Sequence, residues 1–476
     1  MNIQSKIAEK IDNDKFIKKI IEFSGELKVY AVGGIIRDYY FGMDNYDKDI
    51  VVFCDDVKNY SKNLANYLEN TSFVELDDVN KIYRLVKKEN DKYVYIDIAA
   101  PYGHNIEEDL SRRDLRMNAI AYDIKNHKFI DIFNGFDNLE NKKIDIISEN
   151  NIIDDSLRLL RIFRFQANTG FEIDENLMNI VKKYKNLIHK PAKERIMTEL
   201  MKMFEGKYTD IALINMDKTE LLCEILPVFN NVKKVPPNSH HHLPLIGHSI
   251  ETVRQIENFY ENAEFVIKEH LNKIDFGGFS RIAHLKLAGF MHDIGKYSCW
   301  TIEENTGRHR FMKHESIGAD MCVPILKELK FSNKQINYIK SMIKNHIYPS
   351  HVISTDILTD KIKMRYIRKM GDDVIDNIIL AKSDRLSARG EAVTEEMVNN
   401  NINGLNNLLH FYLDNKYKLK PLPKLLSGND IMKLTGLKPS KELGEIVSKL
   451  NDAIFDGDIT SVEEAKNFIK NIICKI

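Results

Sequence analysis

Four short runs in the first hundred residues are rich in β-branched and aromatic side chains: LKVYAV (27–32), KDIVVF (48–53), IYRLV (82–86) and YVYIDIA (93–99). Each reads as a strand, and residues 57–69 between them carry apolar positions at helical spacing. From about residue 150 the strand pattern stops. DDSLRLLRIFRFQANT, ENLMNIVKKYKNLI and KERIMTELMKMFEG all read as amphipathic helices. The proline-bearing VKKVPPNSHHHLPLIG (232–247) reads as a linker to a second helical region over about 248–390. NKYKLKPLPK (415–424) then introduces a short helical tail. The pattern predicts an α+β protein that is mainly α overall: a small mixed sheet packed with helices, then all-helical segments. Domain boundaries are expected at 1–145, 146–230, 245–390 and 400–476.

Composition narrows the partners. At 476 residues the chain is too long for one compact core. A formal charge of -1 provides no global basic field, so any RNA site must be a local patch, such as KKYKNLIHKPAKER (182–195). The five cysteines (Cys54, Cys223, Cys299, Cys322, Cys474) are scattered without a CxxC pair, which suits a reducing compartment. MNIQSKIAEKIDNDK has no apolar signal core, and no run approaches the ~20 apolar residues of a membrane span. The expectation is a soluble, cytoplasmic protein with no membrane partner.

Candidate chemistry begins at VGGIIRDYYFGMDNYDKDI (32–50). LKVYAV, GG and IIRDYY form a strand–turn–helix in which Gly33 and Gly34 let a phosphate approach the backbone. Arg37, one turn inside, reaches the same phosphates. Neither the Rossmann nor the Walker A pattern is present. Asp47 and Asp49 project from one face of their strand, and paired carboxylates repel unless a divalent cation joins them. YVYIDIA would bring Asp97 to that face as a third ligand. Such a site orients attack on an α-phosphate and neutralises the leaving pyrophosphate. EEDLSRRDLRMNAIAYD (107–123) adds Arg113. DDSLRLLRIFRF (154–165) spaces Asp155, Arg158, Arg161 and Arg164 three apart on a predicted helix, with Asp155 beside Arg158.

Taken in order, GGIIRD, DKD, RRDLRMNA, NGFDNL (134–139), DDSLRLLR and KERIMTEL (193–200) resemble the motifs of class II tRNA nucleotidyltransferases. These are the CCA-adding enzymes and their bacterial poly(A) polymerase relatives. The resemblance spans roughly residues 25–205, and LLSGNDIMKLTGLKPSKELGEIVSKLNDAIFDGDITSVEEAKNFI is similar to the family's C-terminal segment. It implies a catalytic head, then a helical neck and body that reads nucleotides and binds RNA. It further implies template-independent addition of CCA to tRNA 3′ ends from CTP and ATP, by two-metal transfer with Mg²⁺ at Asp47 and Asp49. Gly34, Arg37, Arg113, Arg161 and Arg164 match nucleotide-contacting positions, and Asp155 and Arg158 match the pair that reads the base. Three departures stand out. Asp154-Asp155 replaces Glu-Asp, Leu115 and Arg116 replace Phe-Thr, and only AAPYGHNIEE follows Asp97 where many CCA-adding members carry a longer segment. CC-only addition and poly(A) synthesis therefore stay open, as does the oligomeric state.

In the second helical region RIAHLKLAGFMHDIGK (281–296) ends an apolar helix on adjacent His292 and Asp293. Together with His248, His314, His346 and Asp384 it resembles the metal set of HD-superfamily phosphohydrolases. The resemblance implies a divalent transition metal at His248, His292, Asp293 and Asp384, with His314 and His346 carrying a second ion. The triple histidine 240–242 and His309 read as ordinary linker and surface residues. A phosphohydrolase that uses the head only as an RNA platform is the alternative of another class.

Overall fold

The computed structural model describes residues 3–473 apart from 79, 91, 417–422, 424, 456 and 457. Cys474 and most of the passage 415–424 lie outside the described residues. The chain divides into two compact units: residues 1–228 with 328–331, and the remainder.

In the first unit seven strands form one sheet: β1 (Lys28–Val32), β2 (Asp47–Phe53), β3 (Thr71–Asp77), β4 (Ile82–Glu89), β5 (Lys92–Ala99), β6 (Ala121–Asp123) and β7 (Lys128–Ile130). Their order is β3-β4-β5-β2-β1-β6-β7. All neighbours run antiparallel except β2 and β5, so the sheet is mixed, as the pattern predicts. β3 escapes the sequence pattern because it is an edge strand with mostly exposed residues.

Alternation along β2 sets up the site. Tyr30, Val32 and Val51 pack beneath Ile106 and Leu110 of the helix Ile106–Ser111. Asp47 and Asp49 share the face of Val51 but lie beyond that cover. Lys48 points the other way and is only 1% exposed. It survives burial because its Nζ meets Asp14 Oδ2 at 2.6 Å and the Asn45 carbonyl at 3.1 Å. The same Asp14 caps the helix Lys15–Ser24 through the amides of Phe16 and Ile17.

The helical part of this unit centres on Arg158–Thr169. Its buried Leu159, Ile162 and Phe163 face the helices Lys193–Phe204 and Thr209–Lys218. One expectation is corrected here. Asp155 is not on the helix of the three arginines: a preceding helix, Glu149–Asp154, ends at Asp155, which is extended at φ -136° and ψ 93°. Across the break the Asp155 carboxylate accepts from the Leu157 amide at 3.3 Å, and the three-apart helical spacing applies only from Arg158 onward.

In the second unit the helices Leu245–Glu261, Arg281–Met291, Asn333–Asn345 and Val374–Ser387 pack together, and Phe229 stacks on Phe290 at 4.3 Å. The region is not wholly helical. Trp300–Ile302 pairs with His309–Phe311 as a two-stranded ribbon, too short for alternation to signal it. A two-residue pairing of Lys143–Ile144 with Glu172–Ile173 likewise interrupts the helices of the first unit. Nor is 232–247 a free linker: the Gly390 amide bonds the His240 carbonyl at 2.9 Å and Ala392 bonds Ser239 at 2.8 Å. The tail helices Gly428–Thr435, Lys441–Phe455 and Val462–Ile473 share a core of Ile431, Ile446, Leu450, Ala465 and Ile469. Among the described residues no helix is long and apolar enough to cross a membrane.

Candidate active site and metal centre

A cleft of about 740 Å³ opens in the first unit over the ends of β1 and β2. Its lining brings together Gly33, Gly34, Arg37, Asp47, Asp49, Arg113, Asp155, Arg158, Arg161 and Arg164, which are far apart in the chain. Of the residues singled out from the sequence for this chemistry, only Asp97 is absent from the lining.

Gly33 has φ +64°, and a Cβ there would meet Arg113 Nη1 at 2.8 Å. At Gly34 a Cβ would lie 3.2 Å from Asp49 Oδ2, and its amide points at that oxygen across 3.4 Å. The turn thus holds backbone, guanidinium and carboxylate closer than any side chain would allow. Burial pushes the Asp49 carboxyl up to about 6, opposed by Arg113 and reinforced by Asp47 and Asp97. Asp47 is raised as well, by desolvation and by Asp97. Two crowded carboxylates that resist ionising together form the donor set a hard divalent cation fits.

Asp97 sits beside Asp49 in the parallel β2–β5 register, as expected. Both its oxygens, however, are taken by Arg84 of β4, which donates from Nε and Nη2 at 2.7 Å each. Arg84 Nη2 also lies 3.4 Å from Asp47 Oδ1. In this arrangement a bidentate guanidinium engages both Asp97 oxygens. IYRLV contains Arg84, but only the register reveals its partner.

The arginines are held in distinct ways. Arg161 pairs with Asp114 through Nε at 2.7 Å. Against the pull of burial, Arg161 and Asn118 keep Asp114 at about 2. Arg164 meets Glu199 at 3.1 Å, and burial with Arg161 beside it lowers its pKa to about 10. Arg158 donates to the carbonyls of Asn151 and Arg112; burial lowers its pKa, opposed by the nearby Asp114 and Asp155 carboxylates. Asp155 is bound instead by Arg195 Nη2 at 2.9 Å. Arg195 and Glu199 belong to the quoted KERIMTEL run. Nothing in that run's helical pattern separates them from ordinary surface charges.

In the second unit His248, His292, Asp293, His346 and Asp384 converge with His314. Each imidazole directs Nδ1 at a backbone carbonyl: His248 at Ser387, His292 at Gly289, His314 at Phe311 and His346 at Ile343. With Nδ1 engaged there, the Nε2 atoms face inward. His248 and His292 bring Nε2 atoms to 3.2 Å of each other, and so do His314 and His346. Asp293 Oδ2 is 3.1 Å from His292 Nε2, and its Oδ1 is 3.3 Å from His314 Nε2. Asp384 Oδ1 is 3.1 Å from His248 Nε2. Imidazole nitrogens crowded against one another around carboxylates form a donor set that divalent cations fit. The two oxygens of Asp293 reach toward two separate sets of nitrogens. Burial and the neighbouring His292 and His314 lower His346 to about 3, whereas Asp293 and Asp384 raise His292 to about 10 against the pull of burial; a cation bound among them would take the place of that proton.

His241, read from sequence as bland, packs its ring 4.5 Å from that of His248, and Lys296 Nζ lies 3.3 Å from its Nε2. Burial and Lys296 lower its pKa to about 2. Only the packing of 232–247 against the unit brings it there.

A mixed sheet that presents two carboxylates to an arginine-lined cleft defines the first unit as a nucleotidyltransferase, and the second gathers the histidines and aspartates of an HD-type site. Comparison agrees with this class. The Poly A polymerase head domain matches residues 29–145, the probable RNA and SrmB-binding site of polymerase A matches 170–233, and the HD domain matches 245–389. The chain is 25% identical to the A-adding tRNA nucleotidyltransferase of Deinococcus radiodurans over 92% of its length and 94% of that protein. It is also 25% identical to the CC-adding tRNA nucleotidyltransferase of Thermus thermophilus (92% of each) and to the CCA-adding enzyme of Ligilactobacillus salivarius (95% of each). The Thermotoga maritima CCA-adding enzyme complexed with tRNA superposes with a TM-score of 0.56 over 98% of both chains at 19% identity, a likeness of fold. The chain belongs to the class II tRNA nucleotidyltransferases, with an HD domain in its second unit.

Proposed function

We propose that the protein adds CCA to the 3′ end of tRNA without a nucleic acid template, from CTP and ATP. The observation that carries this reading is the single cleft that unites the glycine turn, Asp47 and Asp49, Arg113 and the Asp155–Arg158 segment. The domains are then a catalytic head (1–145), a neck and body (146–230), an HD domain (245–390) and a tail (400–476).

In this reading the amides after Gly33, with Arg37 and Arg113, hold the triphosphate. Asp47 and Asp49 would hold Mg²⁺, which lowers the pKa of the attacking hydroxyl and neutralises the leaving pyrophosphate. Asp155 accepts from the exocyclic amine of the base and Arg158 donates to its ring acceptor, with Arg161 and Arg164 supporting them. Arg158 is pre-oriented by its carbonyl partners, and Arg195 steadies Asp155 through one oxygen. Cytosine and adenine share that amine–acceptor edge. Guanine and uracil reverse it and leave buried groups unpaired, at about 1–3 kcal/mol or more.

One observation favours a second reading, addition of CC alone. Between the end of β5 at Ala99 and the helix Ile106–Ser111 the chain makes only a short turn, tied by Tyr102 and His104 amides to Asp109 and Glu108. The HD centre, whose His248, His292, Asp293 and Asp384 would hold a divalent cation that activates water, supports an additional phosphoester hydrolysis, its metal chosen by imidazole and carboxylate ligands. Three tRNA transcripts, ending at the discriminator base, at C and at CC, each incubated with CTP, ATP or both, test the transferase reading. Completion of all three to CCA supports it, a stop at CC selects the second reading, and a ladder with ATP alone replaces both with poly(A) synthesis.

A further inference from the structure

The cleft accounts for one side of the carboxylates. β1 and its glycine turn lie on that side of β2, with Arg37 and Arg113, and this is where the triphosphate sits in the proposed function. β5 and β4 lie on the opposite side of β2 and have so far been given no ligand. Tyr93, Tyr95 and Asp97 alternate onto one face of β5, and Tyr95 is directly opposite Asp47 in the register. The rings of Tyr93 and Tyr95 lie 6.5 Å apart and 27° from parallel, side by side along the strand. Tyr93 is 53% exposed and Tyr95 is half-buried. Across the strand pair Arg84 stands opposite Asp97 and Lys88 opposite Tyr93. The Arg84 guanidinium lies over the Tyr95 ring at 4.9 Å while bonded to Asp97.

We propose that this face of β4 and β5 receives the single-stranded 3′ end of the RNA acceptor, its bases on Tyr95 and Tyr93 and its phosphates beside Arg84 and Lys88. The argument rests on the proposed transferase reading and adds the route of the acceptor. Displacement at an α-phosphate is in line, so the attacking hydroxyl must come from the side opposite the leaving pyrophosphate. With the phosphate cradle on the β1 side, that approach runs over β5. Exposed aromatic rings flanked by cations are the surface that holds unpaired nucleotides, because every base offers a stacking face and every link a negative charge. Arg84 has a further effect: by holding Asp97 it keeps the edge of the platform from repelling the incoming backbone.

The test combines kinetics with cross-linking. For Tyr95→Leu the expected result is a fall of roughly fivefold or more in kcat/KM for a tRNA ending at the discriminator base, with KM for CTP unchanged. Tyr95→Phe, which keeps the stacking face, is expected to behave as wild type, and Tyr93→Leu to show a smaller loss of the same kind. In the full-length protein a photoreactive uridine at the tRNA 3′ end is expected to cross-link within Tyr93–Asp97, in the presence or absence of CTP. Unchanged tRNA dependence in Tyr95→Leu, or a cross-link mapping to another element, overturns the proposal. A wild type that cross-links at β5 yet incorporates no nucleotide keeps the RNA surface and removes the transferase reading, so the two failures are separate.

Discussion

Replacing Asp49 by Asn should make the metal-free protein more stable while abolishing nucleotide incorporation. The magnitude follows from the site. Burial and the neighbouring Asp47 and Asp97 raise the Asp49 carboxyl from an ordinary 3.8 to about 6. A carboxyl with a raised folded-state pKa binds its proton more tightly in the folded chain than in the unfolded one. Its ionisation therefore opposes folding: the penalty is absent below about pH 4, grows between pH 4 and 6, and is complete above 6. The gap between 3.8 and about 6 corresponds to roughly 3 kcal/mol at ~1.36 kcal/mol per pH unit, an upper bound because water reaches the cleft. Asn is nearly isosteric and never ionises. Urea denaturation in EDTA, followed from pH 4 to 8, should therefore show coincident curves at pH 4. The variant should pull ahead by up to about 3 kcal/mol at pH 7. Added Mg²⁺ should stabilise the wild type and leave Asp49→Asn unchanged, since the cation resolves the repulsion the substitution has already removed. Equal stability across the whole range, or a less stable variant at pH 7, would refute the electrostatic account of the carboxylate pair.

Three other outcomes are expected. Asp14→Ala strips Lys48 of its buried partner and one helix of its cap, and should lower stability by about 3–5 kcal/mol in urea denaturation. Asp155→Ala should retain CTP and ATP incorporation at reduced rate but admit UTP or GTP, measured by single-nucleotide extension; unchanged selectivity would remove Asp155 as the reader. Metal analysis of Asp293→Asn should find the HD centre stripped of both ions, whereas His314→Ala keeps the one at His248 and His292. Equal metal content in both variants and wild type would contradict the placing of Asp293 between the two sets of histidines.

The carboxylate pair and the HD set were legible because their chemistry is local in sequence. Strand alternation alone puts Asp47 and Asp49 on one face, and His292-Asp293 ends an apolar helix where no polar pair belongs. Pairings across the fold were not legible. Arg84 looks like any strand arginine until β4–β5 register sets it on Asp97. Alternation puts Lys48 on the face opposite Asp47 and Asp49, but only the fold supplies Asp14 as its partner. The helix break at Asp155 was hidden because DDSLRLLR satisfies helical spacing, and the extended backbone that interrupts it is apparent only in the fold. His241 became visible only when the 239–240 backbone was seen bonded to residues 390–392. Patterning thus reported which residues face the core, while the partners of buried charges depended on contacts between distant segments.

The central claim, that one cleft transfers nucleotides to tRNA through Asp47 and Asp49, is met most directly by a single-turnover assay. Purified wild type and Asp49→Ala would be given Mg²⁺, a tRNA ending at the discriminator base, and labelled CTP. The account predicts rapid addition of two cytidines by the wild type and none by the variant, with HD-site variants adding cytidine at the wild-type rate. Incorporation that survives Asp49→Ala, or that disappears only when the HD histidines are replaced, would contradict it.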